Sequence, residues 1–291
     1  MQHHKLIYLG TFSYFGFVAF FSLRHNVWLS PDQFLVFALV VAVFLGRGKK
    51  FLADWLPFII MFLGYEALRG INPEITKIPV NITNIIDAER FLFGGIPSVT
   101  LQSTFFHPGN LQWYDLGFAI VYMSHFIAFL PFAFYLWVKR HNLFVKFSYT
   151  ILLLSYLAFI TFILFPVAPP WMASEMGFIP KIWGILNSAT AQLTIPGGLP
   201  SVYKFFGANK VAAVPSLHAS YPLVIFLISL LLKKPLVTLI SLIYMLLVWI
   251  AIVYLGEHYV VDILAGVIYT IFSFLIIKNL TSRKSLISES H

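Results

Sequence analysis

Apolar runs close to twenty residues long recur from one end of this sequence to the other. An α-helix needs about that length to cross the hydrocarbon core of a bilayer. Within lipid every backbone N–H and C=O must find a partner inside the protein, so only helices and closed barrels span it. The ten-residue alternating strands of a barrel are not seen. The pattern therefore predicts an all-α fold, a polytopic bundle of transmembrane helices. Charged residues make up only 10% of the 291 residues, against about 25% in soluble proteins. The expected spans are 6–23, 34–45, 51–68, 114–138, 144–165, 214–232, 236–255 and 259–280. The first follows His3, His4 and Lys5. No small-x-small cleavage site follows it, so it reads as a retained helix and not as a signal peptide.

Charge sets an expected orientation. With eight spans and both termini in the cytoplasm, twelve of the 19 Lys and Arg residues fall inside. The short loops holding Arg47, Lys49 and Lys50, then Lys139 and Arg140, then Lys233 and Lys234 make the bias sharp. This asymmetry accounts for the net charge of +8, and no nucleic-acid partner is needed. Most acidic residues, among them Glu66, Asp87, Glu89, Asp115, Glu257 and Asp262, fall on the opposite face. Chemistry is expected there. The chain has no cysteine, which excludes disulfides, thiolate metal sites and cysteine nucleophiles.

Two long connections, 69–113 and 166–210, belong to the same face. Long loops in compact domains are more often functional than idle. Both carry turn signals, such as Gly94-Gly95-Ile96-Pro97 and Pro196-Gly197-Gly198. Residues 82–93 have apolar side chains at helical spacing and are predicted to lie flat on the membrane. Trp113, Trp171 and Trp183 suit the interfacial aromatic belt.

The chemistry concentrates in Gly256-Glu257-His258-Tyr259-Val260-Val261-Asp262 and Pro215-Ser216-Leu217-His218. An imidazole and a carboxylate four residues apart share one helix face. Ionisable groups are costly in membranes and usually mark function. In the predicted topology His218 opens the sixth span and His258 precedes the eighth, so both reach one face. Asp262 can fix the tautomer of His258 and free its other nitrogen to attack. A protonated His218 can serve a leaving oxygen. Ser216 suits a helix cap, and helix N-termini attract phosphate. Two other readings stay open from the residues alone: a satisfied polar pair between helices, and a zinc site built from two His and one Asp.

These two motifs resemble the second and third signature motifs of the type 2 phosphatidic acid phosphatase superfamily. They look closest to its inositol phosphorylceramide synthase-like branch, in which Leu precedes the second-motif His and the third motif reads His-Tyr-x-x-Asp. Pro169-Pro170-Trp171, Asp87 with Leu92-Phe93-Gly94, and Pro97 also resemble that branch. The resemblance implies a catalytic triad in which His258 attacks phosphorus, Asp262 orients it and His218 protonates the leaving group. It implies a phosphohistidine intermediate and no metal or other cofactor. The implied partners are a phospholipid donor and a lipid acceptor within the membrane. The expected division is N-terminal transmembrane helices over 1–50, a catalytic membrane domain with a six-helix core over 51–282, and a cytoplasmic tail over 283–291.

The pattern also departs from the family. Where many of its phosphatases carry Arg six residues before the nucleophile, this chain has Ile252. The usual first motif is not visible. Arg69 is the best substitute for a phosphate-binding cation, ahead of Arg90 and Lys204. A pocket with fewer cations matches a phosphodiester, with one negative charge, better than a monoester with nearly two. That favours transfer of a phosphorylated, inositol phosphate-like head group between lipids over hydrolysis of a lipid phosphate. Ser216, Tyr259, Asp115 and His125 join Arg69 as expected substrate-binding residues. His125 has the alternative of a hydrogen bond between helices. The expected place is a cell membrane, with the site at its non-cytoplasmic face. A transporter or scaffold is the reading from another class, but no broken inverted repeats are seen.

Overall fold

The computed structural model describes residues 31–69, 77–193 and 209–288. The expected first span, Lys204, and the side chain of Arg69 lie outside the described residues. So does the turn at 196–200.

Among the described residues the chain is all helical apart from two isolated bridges. The apolar runs become α1 (Pro31–Phe44), α2 (Gly48–Arg69), α5 (Trp113–Lys139), α6 (His141–Leu164), α9 (Leu217–Leu232), α10 (Pro235–Tyr254) and α11 (Val260–Ser288). Four of these, α5, α6, α10 and α11 as far as Thr281, are long and apolar enough to cross a membrane. The apolar part of α1 and the whole of α9 are shorter. Proline lies inside α2, α5 and α9 at Pro57, Pro131 and Pro222. Membrane helices tolerate this because neighbouring groups satisfy the freed carbonyls.

Among the described residues the helix expected over 82–93 forms, and the long connections hold further helices that were not expected. Residues 83–93 form α3 (Thr83–Phe93), followed by α4 (Pro97–Phe105), α7 (Pro170–Glu175) and α8 (Ile185–Gln192). Pro97 and Pro170 each stand at a helix start, where the missing N–H costs nothing. Gly94 ends α3 in the left-handed conformation, with φ of 69°. Beside them the two connections are laced together: Val167 pairs in parallel with both Asn81 and Ala212.

Helix α9 is the hub, packed against α5, α6, α10 and α11. Lipid supplies no hydrophobic drive between helices, so close contact and small residues decide such packing. Gly266 of α11 shows it, since an added Cβ would sit 2.8 Å from both the Ser216 carbonyl oxygen and the Ser220 hydroxyl. At the far end of α5 an aromatic cluster joins α1, α2, α5 and α6. Phe51 stacks on Trp55 at 5.1 Å and meets Trp137 edge-on at 5.4 Å. Asp54 tethers this end, accepting from Trp137 Nε1 at 2.8 Å and pairing with His141 Nε2 at 2.9 Å.

Candidate active site

The turn between α10 and α11 is built on one glycine. Gly256 has φ of 76°, and a Cβ there would come within 2.4 Å of Ile182 Cγ2. A side chain is excluded twice, by conformation and by space. Past Gly256 the chain folds back, and the N–H groups of Glu257 and His258 both donate to the Ile252 carbonyl, at 3.0 and 3.1 Å. The long connections clamp this turn. Trp171 N–H donates to the Gly256 carbonyl at 3.1 Å. Gln102 of α4 donates to the Tyr254 carbonyl at 2.8 Å and accepts from Trp183 N–H at 2.7 Å. Ser98 hydroxyl reaches the His258 carbonyl at 3.4 Å.

Asp262 then closes the first turn of α11. Its Oδ2 accepts from Tyr259 N–H at 2.9 Å and from His258 Nδ1 at 3.0 Å. The carboxylate can only accept, so Nδ1 of His258 carries the proton and Nε2 keeps its lone pair. Asp262 is fully buried and His258 is 3% exposed. A second carboxylate completes the turn. Glu89 of α3, fully buried, accepts from Val260 N–H and Val261 N–H, each at 2.9 Å. Burial pushes its carboxyl above the usual range, while these two hydrogen bonds pull the other way. Glu257, half-buried beside His258, has its carboxyl pushed up to about 7 by burial, against the opposing pull of His258.

His218 arrives from the start of α9. Ser216 caps that helix by accepting from Ala219 N–H at 3.2 Å, worth about 1 kcal/mol. Ser216 N–H donates to the Asp262 carbonyl at 3.0 Å, and Ser220 hydroxyl to the Gly266 carbonyl at 3.2 Å. The start of α9 is thus docked on the start of α11. In consequence Nδ1 of His218 shares a 2.7 Å hydrogen bond with Nε2 of His258. With the proton of His258 on Nδ1, the donor across this bond is His218. Tyr122 hydroxyl lies 3.5 Å from Nε2 of His218, a loose contact. The line runs Asp262, His258, His218, Tyr122.

The other expected residues are distributed differently. His125 stands beside His218, with ring centres 4.3 Å apart, and its Nδ1 bonds the Tyr122 carbonyl. It lines an open cavity together with His218, Tyr65, Phe126, Asn209 and Tyr221. Ser216 lies at the site as a helix cap. Asp115 does not line this cavity. It caps α5, accepting from Gln112 N–H at 2.7 Å and from the Tyr254 hydroxyl. Tyr259 is fully buried against Ile85, Ile86 and Ala173, so its ring packs and does not face the cavity. Among the described residues the Tyr259 hydroxyl has no partner. Arg90 is exposed and faces Asp87 at 3.9 Å. No Lys or Arg among the described residues lines the cavity.

Glu89, Gln102, Ser98 and Tyr122 were not expected at the site from sequence. The available signal for Glu89 was an acid on the same helical face as Ile85 and Ile86. The other three act through contacts 81 to 160 residues away in sequence, which no local pattern reveals.

Comparison with known proteins bears on the family. The PAP2 superfamily model matches residues 83–276, from the start of α3 to within α11. The chain is 27% identical over 260 residues to the phosphoinositol dihydroceramide synthase of Bacteroides thetaiotaomicron, covering 82% of this chain and 81% of that one. No solved structure matches. A membrane helix bundle that carries the family match across every residue of the His–His–Asp line is an enzyme of the type 2 phosphatidic acid phosphatase (PAP2) superfamily, and this chain belongs to it.

Proposed function

We propose that the protein is a membrane-embedded phosphotransferase that moves a phosphorylated head group, inositol phosphate-like, from a phospholipid to a lipid hydroxyl. The carrying observation is that His258 Nε2, its lone pair set by Asp262, faces a second imidazole at 2.7 Å. In the first half-reaction His258 Nε2 attacks phosphorus, and the bond from phosphorus to the diacylglycerol oxygen breaks. His218 gives that oxygen its proton. In the second half-reaction an acceptor hydroxyl gives its proton to His218 and attacks the phosphohistidine, and the bond from phosphorus to nitrogen breaks. A 2.7 Å hydrogen bond leaves no room for phosphorus between the nitrogens, so substrate displaces it.

The name of the Bacteroides relative supports a sphingoid acceptor, a ceramide or dihydroceramide. The shortage of described cations beside the site supports a diester donor. Arg69 and Lys204 remain the proposed sources of positive charge. His125, against His218 in the cavity, is the proposed contact for the acceptor hydroxyl. The positive-inside bias supports a site at the non-cytoplasmic face of a cell membrane, in a chain of eight spans with both termini inside. The proposed division is N-terminal helices over 1–50 ahead of a catalytic domain over 51–282, which contains the matched residues 83–276. Hydrolysis of lipid phosphate, with water as acceptor, is the competing activity. Purified protein given isotope-labelled phosphatidylinositol and ceramide should yield a labelled inositol phosphosphingolipid by mass spectrometry, and His258→Ala should yield none. Release of soluble phosphate or inositol phosphate in place of that lipid would favour the phosphatase reading.

A further inference from the structure

Glu89 is an acid that the reaction does not use, yet it is fully buried and reaches across 171 residues of sequence to the catalytic turn. Both carboxylate oxygens are occupied: Oε1 by Val260 N–H and Oε2 by Val261 N–H, each at 2.9 Å. These are donors that the first turn of α11 cannot satisfy itself. Asp262 takes the neighbouring donor, Tyr259 N–H, while it orients His258. Two carboxylates from different elements therefore divide the three N–H groups between His258 and Asp262. Removal of either leaves donors that are at least half-buried unmatched and frees the turn to move.

The helix that supplies Glu89 is anchored in its middle and exposed at its end. Ile85, Ile86 and Glu89 are buried, whereas Phe91, Leu92 and Phe93 are exposed. Exposed aromatic and aliphatic side chains on a short helix beside membrane spans suit the lipid interface. The C-terminal turn of α3 is thus free for lipid while Glu89, one turn earlier, grips the catalytic turn.

We propose that Glu89 is a positioning residue: by accepting both N–H groups it holds the Tyr259–Val261 backbone, and through it the His258–Asp262 pair, at the geometry needed for attack on phosphorus. The proposal rests on the phosphotransferase reading. Glu89 donates no proton to substrate and does not touch it. A displacement of reacting groups by about 1 Å can cost 100-fold in rate, and Glu89 acts at that scale.

The test compares wild type, Glu89→Gln and Glu89→Ala in phospholipid vesicles, with Ser103→Ala, on the exposed side of α4, as a neutral control. Readouts are kcat, KM for the donor phospholipid, and thermal unfolding, each per folded molecule. Glu89→Gln keeps one carbonyl acceptor but turns an amide N–H toward the other backbone donor. It should lower kcat about 10-fold and Glu89→Ala about 100-fold. KM should change less than 2-fold, and the folded fraction of Glu89→Gln should match wild type. A purely structural role predicts less folded protein with normal kcat in what remains, and that result would overturn the proposal. So would wild-type kcat in both folded variants. Should Glu89→Ala fail to fold, Glu89→Gln alone decides. An inactive wild type with every phospholipid would instead sink the phosphotransferase reading, which keeps the two failures distinct.

Discussion

Three acidic side chains lie around the His258 turn, and each has different partners. Asp262 sets the tautomer, Glu89 secures the backbone, and Glu257 stands next to His258 with its carboxyl pushed up to about 7. The last has a measurable consequence. In the unfolded chain Glu257 loses its proton near the ordinary value of 4.5, but in the folded protein only near 7. Between these values the folded state holds more protons, so stability falls as pH rises through that window and levels off above it. Thermal unfolding in detergent should show the fall for wild type. Glu257→Gln should flatten it, since Gln does not titrate. An unchanged slope in the variant would assign the pH dependence to another group.

At the scale of elements, the site exists because two helix starts meet. The start of α9 presents His218, the start of α11 presents Asp262, and the Ser216 N–H to Asp262 carbonyl bond joins them. The missing side chain of Gly266 allows this approach. Gly266→Ala should therefore push α9 from α11, destabilising the bundle by about 1–3 kcal/mol as overpacking does. It should lower kcat at least 10-fold by parting His218 from His258. Normal kcat in the folded variant would show that the two helices move without consequence. Much at this scale was legible in advance. Seven of the eight expected spans fall among described residues, and each corresponds to a helix, because runs of apolar residues and a Ser-Leu-His start are local signals. The short helices α4, α7 and α8 were not legible. Their mixed sequences have no strong period; α4 and α7 are held by contacts with the Gly256 turn, and α8 packs on α5.

Across the whole molecule, polar chemistry gathers at one end of the bundle and the aromatic cluster with Asp54 at the other. The pairing of His218, His258 and Asp262 could be anticipated because spacing and the run of spans place all three at one face. The partners of Asp115 and the burial of the Tyr259 ring could not be read from sequence. An acid at a helix start and a tyrosine in a motif look the same whether they meet a substrate or the protein's own backbone. The family match makes this an enzyme of the PAP2 superfamily, and four helices among the described residues are long and apolar enough to cross a membrane. The measurement that bears most directly on how it works is rapid acid-free quenching after mixing with phospholipid labelled in its head-group phosphate, followed by peptide mapping. The account predicts an acid-labile, alkali-stable label on His258, absent in His258→Ala and, in His218→Ala, slower both to form, since the leaving oxygen lacks its acid, and to discharge, since the acceptor hydroxyl lacks its base. Product formation at full rate with no label on His258 at any time would contradict it.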